Sequence, residues 1–167
     1  MRSSILIFFL LLISMKSFSQ APVLVVDRVD KRTQEHIRQT SMYLLKDGGN
    51  VNRLSFSVRS VDNTYFLLLN VPVPATIKRG TEITILMENG KAVKLISNND
   101  IISLGESDVS KRMIVCDLDP EAEMKELLKQ NVKSITIPTS NKGTLVVSLL
   151  AKDRGMIRSG IMLAQKK

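Results

Sequence analysis

The chain has 167 residues, with 24 Lys+Arg against 16 Asp+Glu, one His, one Cys, no Trp and 44% hydrophobic residues. That length suits one ordinary domain, and the apolar fraction is too high for a disordered polymer. One Cys excludes a disulfide framework within the chain, and one Cys with one His excludes a Cys/His zinc site.

The N-terminus carries the most specific signal. Arg2 is a short positive region, and Ile5 to Ile13 is an unbroken apolar run. Ser17 and Ser19 then stand at the −3 and −1 positions of a small-residue cleavage site, which makes Gln20 the first mature residue. As a helix the run rises only about 14 Å, against a hydrocarbon core of roughly 30 Å, so a cleaved secretory signal is expected over 1–19 rather than a membrane span. The expected product is an exported domain over 20–167, periplasmic or extracellular. No Cys lies near the cut to carry a lipid. Loss of Arg2 and Lys16 leaves 22 basic against 16 acidic residues. The excess is dispersed, with few aromatics interleaved, so nucleic acid is disfavoured as a partner. An envelope protein or an anionic glycan or lipid surface is the expected class of partner.

In the mature region apolar residues recur mostly with period two. Val23 to Arg28 reads as a strand, Asp30 to Glu35 as a turn and His36 to Leu45 as a returning strand. Asp47-Gly48-Gly49-Asn50 breaks the chain. Leu54, Phe56 and Val58 alternate with Ser55, Ser57 and Arg59, a half-buried strand that turns at Val61-Asp62-Asn63 into Tyr65 to Val71. Thr81 to Glu88 and Lys91 to Ile96 flank Asn89-Gly90, a dipeptide favoured in a type I′ hairpin turn. Lys111 to Leu118 reads as a further strand.

Asp119-Pro120-Glu121 has the capping, proline and acidic signals of a helix start, giving a helix near 120–130. Val132 to Pro138 and Thr144 to Leu150 form a last strand pair. Ala151 to Gln165 fits a closing helix with Ile157, Gly160, Ile161 and Ala164 on one side, although glycine at 155 and 160 costs about 1 kcal/mol each against alanine. The expected fold class is α+β: a mainly antiparallel sheet built from hairpins, with both helices packed on it.

The signal ending Ser17-Phe18-Ser19-Gln20, the segment Val26 to Lys31, the hairpin Ile83 to Lys91 and the stretch Val132 to Ile137 before a closing helix resemble small exported proteins of Bacteroidota. That resemblance implies export and a sheet-rich α+β domain, and it brings no catalytic residue with it.

Candidate chemistry is sparse. His36 has no motif around it and reads as a surface strand histidine; Cys116 alternates with Ile114 and Leu118 and reads as a core residue. Asp117, Asp119, Glu121 and Glu123 are explained by helix capping, with proline where a calcium loop would need to wrap. The long 98–110 segment, with Asp100, Glu106 and Asp108 around Gly105, is the candidate binding loop. Arg154, Arg158, Lys166 and Lys167 form a candidate basic C-terminal patch. No metal site, cofactor motif or catalytic elbow is present. The expected function is therefore a non-catalytic binding or structural domain of the cell envelope. A small carboxylate-dependent glycan or peptidoglycan hydrolase and a polyanion-binding surface protein are the alternatives.

Overall fold

The computed structural model describes residues 21–46, 54–71, 75–101, 113–140 and 143–165. The cleavage site at Ser19 and Gln20, together with Glu106, Asp108, Lys166 and Lys167, lies outside them. The α+β, antiparallel character expected from the sequence is present. Strands β1 (Leu24–Val29), β2 (His36–Thr40), β3 (Tyr43–Leu45), β4 (Leu54–Val61), β5 (Thr64–Asn70) and β8 (Met113–Leu118) make one six-stranded sheet. Its order is β1-β2-β4-β5-β8, with β3 also on β4. Strands β6 (Glu82–Met87), β7 (Ala92–Ile96), β9 (Val132–Thr139) and β10 (Gly143–Ser148) make a four-stranded sheet in the order β10-β9-β6-β7. Helix α1 spans Glu123–Lys129 and helix α2 spans Met156–Gln165.

Four local features differ from the sequence expectation. The strand expected over His36 to Leu45 is two strands on the same edge of β4, β2 against Val61 to Arg59 and β3 against Phe56 to Leu54. Thr40 bridges the kink between them. Its Oγ1 accepts the Val58 N–H at 2.9 Å and its carbonyl accepts the Ser57 hydroxyl at 2.7 Å, so side chains replace the lost ladder bonds. At Asn89-Gly90 the hairpin is present, but only Gly90 has positive φ, at 83°. Met87 N donates to the Lys91 carbonyl and Gly90 N to the Met87 carbonyl, which makes a three-residue loop closed by a left-handed glycine rather than a two-residue type I′ turn. Asp119 does cap a turn, its Oδ1 accepting the Glu121 and Ala122 N–H groups while the Asp119 N–H donates to Glu123 Oε2. Helix α1 itself starts only at Glu123.

The closing helix likewise begins at Met156, five residues later than expected, because Asp153 holds the preceding turns. This carboxylate is fully buried, and it accepts the Tyr43 hydroxyl at 2.8 Å and the Lys46 N–H at 3.0 Å. A buried charge is tolerated only with such partners, so Asp153 ties the helix entrance to β3. Helix α2 then lies on the inner face of β4. A Cβ at Gly160 would sit 3.1 Å from both Phe56 and Val58, so the glycine that weakens the helix is what lets it seat.

The two sheets are joined at both sides. Ser97 bridges to Cys116 and Asn98 N donates to the Val115 carbonyl, while Leu150 N donates to the Lys46 carbonyl at 3.3 Å. A continuous core fills the space between, including Phe56, Leu67 and Leu69 from one sheet, Ile83, Ile85 and Ile135 from the other, and Ile157 and Ile161 from α2. No helix among the described residues is long and apolar enough to cross a membrane.

Candidate functional site

A concavity with convergent polar groups opens where α2 ends on the inner face of β2, β4 and β5. It has a volume of about 540 Å³ and is lined by His36, Arg38, Ser60, Asp62, Asn63, Tyr65, Ala164 and Gln165. Register explains the gathering. Asp27 on β1 stands opposite Arg38 on β2, Arg38 opposite Ser60 on β4, and Ser60 opposite Tyr65 on β5, so one row of inward side chains crosses four strands. His36 lies two residues from Arg38 on the same face, which is the strand period.

The charges of this row are matched within it. His36 Nε2 lies 2.5 Å from Asp27 Oδ1, and Arg38 Nε donates to the same oxygen at 3.2 Å. The hydrogen bond from His36 and then that from Arg38 hold the Asp27 carboxyl below its ordinary range. Asp62, at the β4–β5 turn with φ of 50°, accepts the His36 backbone N–H at 2.8 Å and returns its own N–H to the His36 carbonyl. Ser60 is buried and donates its hydroxyl to the Ala164 carbonyl at 3.1 Å, closing the floor against the end of α2. The Ser60 hydrogen therefore points to the helix, and the Nε2 of His36 points to Asp27. Within this row no base is aimed at a nucleophile.

Of the residues singled out from sequence, His36 lines this pocket, and the other described ones fall elsewhere. Asp100 accepts the Arg79 N–H at 2.7 Å in the bridge region that also pairs Ile77 with Ile101, a structural role. Arg154 is tied down, donating Nη1 to Glu88 at 2.9 Å and Nε to the Leu149 carbonyl at 3.2 Å. Glu88, gripped by Arg154 and then by Asn131, is held below its ordinary range. Arg158 is half-buried on α2. Cys116 is fully buried, and desolvation, with the adjacent Asp117 charge, pushes its thiol up to about 12. Asp117, Asp119 and Glu123 share a shallow hollow of about 230 Å³ with Lys94, where the Asp119 and Glu123 carboxylates hydrogen-bond the backbone at the helix entrance. Among the described residues no group of three or more His, Cys, Asp or Glu could hold a metal ion.

The pocket was not visible as a motif because its members come from 27–38, 60–65 and 164–165. The one local sign was His36 and Arg38 two apart on a strand facing Asp27. No family model, no curated protein and no solved structure matches the chain.

Proposed function

We propose that the chain is an exported, non-catalytic binding domain of the cell envelope, and that it takes a small polar ligand in the pocket at the end of α2. The supporting observation is the row Asp27–Arg38–Ser60–Tyr65 with His36 beside it. It places a guanidinium, an imidazole, a phenol and amides around one concavity, with Asp27 and Asp62 offsetting the two basic groups. Pockets with a few convergent polar groups are the usual ligand sites. Charge balance favours an uncharged polar ligand over a polyanion, whose recognition needs uncompensated basic groups. Export rests on the N-terminal leader.

His36 is the only imidazole in the chain, so its proton resonances report on this pocket alone. Titration of uncharged envelope oligosaccharides and short peptides should give a saturable shift of the His36 signals that Arg38→Ala abolishes. A ligand that binds the protein without moving His36 would place the site elsewhere. N-terminal sequencing of protein recovered from the host envelope or medium should begin at Gln20, and recovery of the uncleaved chain from the cytosol would refute export.

A further inference from the structure

The pocket at the end of α2 holds two opposite charges whose bonding is only part made, and the open groups sort the ligands it can take. Arg38 has a side chain only 12% exposed, yet of the five N–H donors of a guanidinium only Nε is used, on Asp27. Its two Nη groups make no hydrogen bond among the described residues. Asp27 thus steadies the guanidinium from one side, and the terminal Nη pair, which matches the two oxygens of a carboxylate, is left over where Arg38 lines the cavity. Asp62 is the only carboxylate among the lining residues. One of its oxygens accepts the His36 backbone N–H, and the other makes no hydrogen bond or ion pair among the described residues. Asp62 also opens the two-residue β4–β5 turn at a φ of 50°, a conformation that suits glycine. A carboxylate held there is a local cost of the kind found at ligand sites. Arg38 pairs with Ser60, two residues before Asp62, so the two charged residues are diagonal neighbours about 7–8 Å apart along the sheet.

We propose, resting on the reading of this cavity as a ligand site, that its ligand is a small zwitterion of the amino-acid or dipeptide class. The ligand's carboxylate lies on the Arg38 Nη pair and its ammonium on the open oxygen of Asp62. His36 spends its Nε2 on Asp27, so one cation and one anion remain to be answered in the cavity. Other ligand chemistries answer them less well. A sugar hydroxyl can bond either group but neutralises neither. A simple carboxylate or phosphate satisfies Arg38 and is repelled by Asp62, and a polyamine has the reverse fault. A molecule carrying both charges meets both groups, and its zero net charge agrees with the balance of acid and base along this row. The Tyr65 hydroxyl and the Asn63 and Gln165 amides line the same cavity and make no hydrogen bond among the described residues, so they are open to a peptide group or a polar side chain of the ligand. Discrimination here comes as much from the charge that a wrong ligand leaves unanswered as from the bonds of the right one.

The test follows the His36 proton resonances of untagged protein recovered from expression of the full chain, at fixed pH and ionic strength. Dialanine should shift them saturably. N-acetyl-dialanine, which lacks the ammonium, and dialanine amide, which lacks the carboxylate, should each bind about tenfold weaker or worse, and so should the neutral disaccharide cellobiose. Asp62→Asn keeps an oxygen for the His36 N–H and loses the charge. It should weaken dialanine about tenfold and leave N-acetyl-dialanine unchanged, a selectivity that a folding defect does not produce. If cellobiose or both blocked dipeptides match dialanine, the cavity stands as a ligand site and zwitterion recognition is refuted. If none of the four probes moves His36, the proposal is overturned, and the cavity reading then rests on envelope oligosaccharides alone. If Asp62→Asn does not fold, Arg38→Gln decides the matter: it should erase the difference between dialanine and its amide, and a difference that persists refutes the assignment.

Discussion

The two faces of the six-stranded sheet are made by the same strands and differ in how completely they are used. Inward, Phe56, Val58, Leu67 and Leu69 are fully buried, and Gly160 brings α2 into contact with Phe56 and Val58. Outward, Phe66, Val61 and Val115 are half-buried, Leu68 and Ser57 are buried, and Asp117 is exposed. A strand period of two thus writes an apolar core on one side and a mixed polar and apolar face on the other. The pocket lies at the end of the inner face, where α2 stops and polar residues replace apolar ones.

Truncations should separate the faces most widely. Phe56→Ala should cost about 3–5 kcal/mol, the range for emptying a closed core site, whereas Phe66→Ala in dilute protein should cost under about 1.5 kcal/mol. Chemical denaturation measures both, and equal losses would erase the distinction between the faces. Asp153→Ala should come next, at about 2–3 kcal/mol, because it strands the Tyr43 hydroxyl and the Lys46 N–H in the interior.

Gly160→Ala sharpens the reading of the inner face. Helix propensity favours alanine by about 1 kcal/mol, but the new Cβ meets two fully buried side chains at 3.1 Å, and overpacking costs about 1–3 kcal/mol. A net loss of about 1 kcal/mol is expected, and a gain in Tm would show that α2 has room to move.

Two pH effects act outside the neutral range. Cys116 keeps its proton in the folded state until about pH 12, while the unfolded thiol ionises near 9. Stability should therefore fall as pH rises above about 9, by up to about 1.4 kcal/mol per pH unit, and Cys116→Ser should remove that slope. The folded thiol should also resist alkylation until the chain unfolds. Asp27 works in the opposite sense: its carboxyl is depressed by His36 and Arg38, so its contribution is present above the ordinary carboxylate range and is lost as pH falls through the folded value. Asp27 is exposed, so Asp27→Asn should flatten the acid limb of a stability–pH profile only slightly.

Sequence periodicity located the hairpins because burial on one face imposes alternation within a strand. β5 sits within one residue of its expected bounds, β4 starts at the expected Leu54 and runs two residues past Arg59, and Cys116 is where its alternation with Ile114 and Leu118 puts it. What escaped was set by long-range partners. The break at Ser41-Met42 has no glycine or proline to announce it and depends on Thr40 meeting Ser57 and Val58. The late start of α2 depends on Asp153 finding Tyr43, 110 positions away. His36 looked like an isolated surface residue because Asp27 becomes its neighbour only through the β1–β2 register. The acidic run Asp117, Asp119, Glu121 and Glu123 stood out because its members are close in sequence, which is where capping bonds such as those of Asp119 with its own turn are made.

Hydroxyl-radical footprinting of the full chain, with and without pocket ligand, tests the division of labour most directly. Phe56, fully buried, should be protected in both states, half-buried Phe66 should react in both, and Tyr65 should gain protection when ligand binds. If Phe66 is as protected as Phe56, or if Tyr65 ignores every ligand that the protein binds, the assignment of these faces is contradicted.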